Sequence, residues 1–146
     1  MSEDTTALPV QLQEIVEDFT STPPSERLQL LLEFSEELPE LPERYRDHPE
    51  LMEPVPECQS PVFVVTELRD GHVHPYISAP AEAPTTRGFG SVLAQGLDGL
   101  SADEVRSIPG DFAFSLGLTQ LISPLRLHGM TGLLARIKAQ VDRLAG

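Results

Sequence analysis

The chain has 146 residues, 40% of them apolar and 23% charged, an ordinary globular balance that excludes a disordered composition and leaves room for one domain of usual size. A net charge of -13 argues against nucleic acid and anionic membrane surfaces, which repel an acidic face, and favours basic partners. No apolar run reaches membrane-spanning length, and the polar, acidic stretch Met1–Leu8 lacks a signal-peptide core, so the expectation is one cytoplasmic domain over residues 1–146, flexible over 1–8.

The spacing of Leu12, Ile15, Val16 and Phe19 predicts a helix over Pro9–Phe19, ended by Thr20-Ser21-Thr22-Pro23-Pro24. A second helix is predicted over Ser25–Leu38, with Pro24 at its start. Leu28, Leu31, Leu32 and Leu38 share one face, and Glu26, Gln29, Glu33, Glu36 and Glu37 lie mostly on the other. From Pro39 to Pro61 the prolines at 39, 42, 49, 54, 56 and 61 deny the backbone any long regular element, which predicts an ordered loop with one short helical turn. Glu33–Glu57 holds nine acidic residues against Arg44 and Arg46 and reads as a solvated or docking face.

Pro61–Ala79 is predicted as a β-hairpin. Val62–Leu68 and His72–Ser78 flank Asp70-Gly71, the pair favoured in a type I′ turn. A two-residue loop sets the register: Arg69 faces His72, Leu68 faces Val73, Glu67 faces His74 and Val64 faces Ile77. The core face then carries Val62, Val64, Leu68, Val73 and Ile77. Pro75 falls opposite Thr66 at a non-hydrogen-bonded pair, so the second strand is a sheet edge and any third strand adds beside the first, from a short segment just before Cys58. Downstream, Thr85 or Thr86 is expected to cap a helix reaching Leu97. Ser101–Glu104 has capping-box spacing, and short turns are expected through Phe112 and Leu121. A final helix follows from Leu127, Met130, Leu134, Ile137, Val141 and Leu144, with Arg136, Lys138 and Arg143 toward its C-terminal end, where cations suit the helix dipole.

Cys58 leads the chemical candidates. It is the only cysteine, so neither an internal disulfide nor a CxxC site can form. It stands in Pro54-Val55-Pro56-Glu57-Cys58-Gln59-Ser60-Pro61, a stiff polar loop feeding a strand. Glu57 is adjacent and no Lys or Arg lies between Arg46 and Arg69, so activation of the thiol must come from tertiary neighbours, a backbone N–H or a partner. One thiol suits a carrier, because a second would release the bound sulfur. His72 and His74 share the solvated hairpin face and are expected to be surface residues, and no hydrolase elbow or phosphate loop is present.

Glu26-Arg27-Leu28, Leu38-Pro39-Glu40-Leu41, Glu57-Cys58-Gln59-Ser60-Pro61-Val62-Phe63, Thr86-Arg87-Gly88-Phe89 and Ser123–Met130 followed by Arg136-Ile137 together resemble the SufE family of cysteine desulfurase activators, from about Ile15 to Val141. The resemblance implies a single SufE-like domain of the α+β class, a SufE/NifU-like small antiparallel sheet packed by N- and C-terminal helices. It implies that Cys58 accepts persulfide sulfur from a pyridoxal-phosphate (PLP) cysteine desulfurase of the SufS type and delivers it to an iron-sulfur scaffold of the SufBCD type. PLP would belong to the desulfurase, with no cofactor bound here, no independent turnover, and a monomer or weak homodimer. Glu57, Gln59, Arg87 and Arg126 are the supporting or partner-docking residues it implies. Glu57 stands where many members have glycine, and the loop after the second strand reads Ala79-Pro80-Ala81-Glu82 instead of a more acidic pattern. The alternative from another class is an acidic adaptor that binds a partner without carrying sulfur.

Overall fold

Two helices open the computed structural model, which describes residues 8–146: α1 (Val10–Ser21) and α2 (Pro24–Glu36). The flexible segment expected over 1–8 falls, Leu8 apart, outside the described residues. Leu12, Ile15 and Phe19 of α1 are buried as their spacing requires. On α2 the buried residues are Leu31, Phe34 and Ser35, so the core stripe is rotated from the one read through Leu28 and Leu32. Phe34 supplies the reason, because its ring stacks on Phe19 at 5.6 Å and outweighs a leucine in buried area. Arg27 ties the α1–α2 corner. Its guanidinium donates to the carbonyls of Phe19 (2.9 Å), Thr22 (2.9 Å), Thr20 (3.2 Å) and Gly117 (3.2 Å), satisfying oxygens that a helix end leaves without partners.

The sheet has three antiparallel strands in the order β1 (Glu53–Pro54), β2 (Phe63–Arg69), β3 (His72–Ser78). The β2–β3 register is the one set by the Asp70-Gly71 turn, including Thr66 opposite Pro75. Gly71 has φ +80° and Asp70 φ +53°, the left-handed conformations such a turn needs. The third strand comes from just before Cys58, with Glu53 paired to Val64 and Pro54 to Phe63. The outer edge of β3 is covered: Val73 N–H donates to Leu100 O and Gly99 N–H to Val73 O, both at 2.7 Å. His72 and His74 bond Gly99 O and Asp98 Oδ1, which employs both histidines in closing a strand edge.

Val62, Val64, Val73 and Ile77 are buried beneath two helices, α3 (Pro84–Leu97) and α5 (Pro124–Ala145). The helix cap expected from Thr85 or Thr86 is corrected here. Ala83 is the N-cap, no side chain caps it, and Pro84 opens the helix because its fixed φ and missing N–H suit a first turn. Gly88 lets α3 meet α2, since a Cβ there would sit 2.3 Å from the Leu31 carbonyl oxygen. The Ser101/Glu104 capping box is complete at the start of α4 (Ala102–Arg106), and a 3-10 turn spans Phe112–Leu116. The other sheet face is partly covered by the proline-rich loop, where Tyr45 packs on Tyr76 at 5.6 Å and donates to Glu67 at 2.5 Å. Along α5, Leu127, Met130, Leu134, Ile137 and Val141 are buried, whereas Leu144 is 49% exposed in its last turn. None of the described helices is long and apolar enough to cross a membrane.

Candidate functional site

Cys58 ends a 3-10 turn, Pro56–Cys58, inside a loop that closes on itself. Val55 N–H donates to Val62 O at 2.9 Å, and both valines are 1% exposed, so two buried anchors fix the loop's ends. Cys58 N–H is spent on Val55 O and Gln59 N–H on Pro56 O. Neither donor is left to stabilise a thiolate. Gln59 then turns the chain with φ +59°, a left-handed conformation that a non-glycine residue adopts at some cost.

The loop is seated on α5 at two glycines. A Cβ on Gly129 would lie 3.0 Å from Cys58 Cα and 3.1 Å from Glu57 O, and one on Gly132 would lie 2.9–3.0 Å from three carbons of the Glu57 side chain. One turn further along that face, Arg136 donates to both Glu57 carboxylate oxygens (2.9 and 3.0 Å) and to Glu53 Oε2 (2.7 Å). Arg136 therefore does not serve the C-terminal dipole, as its position in sequence suggests; it ties β1 and the cysteine turn to α5. Glu53 and Glu57, read from sequence as part of an acidic face, are in the same contact taken up by this arginine.

The thiol is half-buried against the core and donates to Gly129 O at 3.4 Å. Burial, followed by the Glu57 carboxylate, pushes its pKa up to about 11, against a lowering by Arg136. The Glu57 carboxyl is held below the usual carboxylate range, first by its own backbone N–H and next by Arg136. Beside the thiol lies a cavity of about 210 Å³ lined by Cys58, Gln59, Ser60, Ser123, Leu125 and Arg126. Ser123 caps α5 there. The structure thus brings Cys58, Gln59 and Arg126 to one cavity and sets Glu57 at its back. Arg126 is exposed and donates to Thr85 Oγ1 at 2.8 Å. Arg87 is elsewhere: it donates to Ser35 O (2.9 Å) and Ala79 O (2.6 Å), stapling α3 to α2 and to the end of β3.

Gly129, Gly132 and Arg136 were not singled out by sequence as site residues. Their spacing of three and four carries the signal, as does the local cost of glycine inside a helix, about 1 kcal/mol relative to alanine. Two such glycines off the apolar stripe mark a face where another backbone comes close.

A family model described as SufE, Fe-S metabolism associated domain, matches residues 13–141. An uncharacterized SufE-like protein of Mycobacterium tuberculosis is 52% identical over 136 residues, spanning 92% of this chain and 94% of that one. The SufE-like protein 1, chloroplastic/mitochondrial, of Arabidopsis thaliana is 31% identical over 128 residues, covering 87% of this chain and 33% of its own length. The solution structure of a hypothetical protein from Thermus thermophilus superposes with a TM-score of 0.83 at 36% identity, covering 94% of this chain and 98% of that one. By the extent of these matches the chain belongs to the SufE family.

Proposed function

We propose that this protein accepts sulfur on Cys58 from a cysteine desulfurase and passes it to an iron-sulfur assembly scaffold. The observation that carries the reading is the placement of the only cysteine: it stands on a closed, anchored loop, next to a cavity with space for a second sulfur atom. The Cys58 thiolate attacks the outer sulfur of the desulfurase persulfide. A new S–S bond forms on Cys58, the old one breaks, and its electron pair leaves on the desulfurase cysteine. No net oxidation or reduction occurs.

Arg126 and the N-terminal end of α5 line the same cavity, and both favour the anion that a persulfide becomes once formed. Exposed Arg126 and Gln59 lie on the rim a partner meets first, and we assign them to docking. PLP stays with the desulfurase. A reducing cytoplasm suits a protein whose working group is a free thiol.

Intact-mass measurement tests the reading. Incubation with a desulfurase and free cysteine is expected to add one sulfur atom to the protein and none to Cys58→Ser. An unchanged mass in a protein that still binds the desulfurase would favour the acidic adaptor instead.

A further inference from the structure

Glu57 and Arg136 do more than decorate the back of the cysteine loop. The Glu57 stem lies in the groove left by Gly132, and its carboxylate is gripped by one edge of the Arg136 guanidinium: Nη2 donates to both oxygens at 2.9 and 3.0 Å, and Nε to Oε1 at 3.3 Å. The remaining terminal nitrogen of Arg136 holds Glu53. Glu53 is itself fixed in β1, with Gln140 Nε2 donating to its other oxygen at 2.8 Å and Arg143 3.5 Å away. Anchored in this way to the sheet, the guanidinium cannot follow Glu57 outward. Displacing Cys58 from its seat therefore requires breaking a bidentate, charge-assisted pair. The two side chains are 27% and 29% exposed, shielded enough to hold and open enough for a partner to reach.

We propose that Arg136 is a positioning residue that keeps the Cys58 loop shut through Glu57, so that presentation of the thiol requires release of this one ion pair. The functional meaning rests on Cys58 being the sulfur acceptor, but the clamp is a property of the resting protein and is tested on it alone.

Among the described residues, Glu57 on its own turn and Arg136 on α5 are the charges that act on the thiol; Arg126 lines the cavity beside it, Glu53 on β1 is held by Arg136, and His128 on α5 acts on Glu57. Two roles for Arg136 then predict opposite signs. As a nearby positive charge it favours the thiolate, and removing it would raise the thiol pKa and slow alkylation. As a clamp it keeps the thiol desolvated, and removing it lets the loop open and the pKa fall. Burial is the largest influence on Cys58, so the second sign is expected.

The test is the pH profile of Cys58 alkylation by iodoacetamide in the wild type, Arg136→Met, Glu57→Gln and the double variant. Arg136→Met is expected to move the profile from about 11 toward the free-cysteine value of ~8.5 and to speed labelling at neutral pH by at least about tenfold. The double variant should add little, because both changes release one contact. Slower labelling in Arg136→Met, or full additivity, would overturn the proposal. Arg136→Lys retains the charge but loses the fork; should Arg136→Met fail to fold, faster labelling in Arg136→Lys supports the clamp and an unchanged profile refutes it. Sulfur uptake is read separately by mass, so a clamp that opens as described in a protein that takes up no sulfur would sink the acceptor reading alone.

Discussion

The Cys58 sulfur lies 3.4 Å from the carbonyl oxygen of Gly129, and this contact suits the thiol but repels the thiolate. An S–H donates to the carbonyl; a sulfur anion would face its negative end. Together with spent backbone donors and partial burial, it makes the resting site one that stores a protonated, protected sulfur. On the proposed reading, activation falls to the complex with the desulfurase, where the loop would leave its seat.

Raised thiol pKa sets a pH dependence with a definite sign. The folded value, about 11, exceeds the ordinary ~8.5, so between those values the unfolded chain has lost the proton that the folded chain keeps. Loop seating is fully favoured below the lower value and weakens as pH rises through this window. Alkylation of the free protein at neutral pH should be slower than that of a free cysteine by roughly two orders of magnitude. Rates equal to those of free cysteine would contradict the closed seat.

Gly129 sets how closely the loop approaches α5. Gly129→Ala gains about 1 kcal/mol in helix propensity, yet its methyl meets backbone at 3.0 and 3.1 Å, which cannot move as a flexible side chain does. Overpacking of this kind costs about 1–3 kcal/mol. The variant is expected to melt no higher than the wild type and to label faster at Cys58. A higher melting temperature with unchanged labelling would show that the contact is slack.

Arg87 and Arg126 should separate stability from docking. Arg87→Ala leaves the carbonyls of Ser35 and Ala79 without their donor, a loss of about 1–3 kcal/mol, measurable by denaturant titration, with Cys58 labelling unchanged. Arg126→Ala removes one exposed bond to Thr85 and should leave stability within about 0.5 kcal/mol while weakening desulfurase binding. The reverse pattern would reassign both residues.

Much of the fold was readable because local chemistry decides it. Asp70-Gly71 admits one tight turn, and that turn fixes every cross-strand pair through Thr66–Pro75. The α5 stripe and the Ser101/Glu104 box likewise depend on spacing alone. Cys58, too, stood out through its proline-framed loop. What the sequence could not reveal were contacts between distant segments. The Arg136–Glu57 pair joins residues that local patterning assigns to unrelated tasks, and Tyr45 covers a sheet face from a loop with no periodicity to place it. The position of Arg87 shows the same limit, since a motif names a residue without saying whether it faces a partner or its own backbone.

The central claim is that Cys58 itself receives the sulfur, and desulfurase turnover in the presence of Cys58→Ser tests it most directly. With free cysteine as substrate, alanine release should rise on adding the wild-type protein and stay at the desulfurase's own rate with Cys58→Ser, a variant expected to fold and to compete for binding. Stimulation by Cys58→Ser equal to that of the wild type would contradict the account.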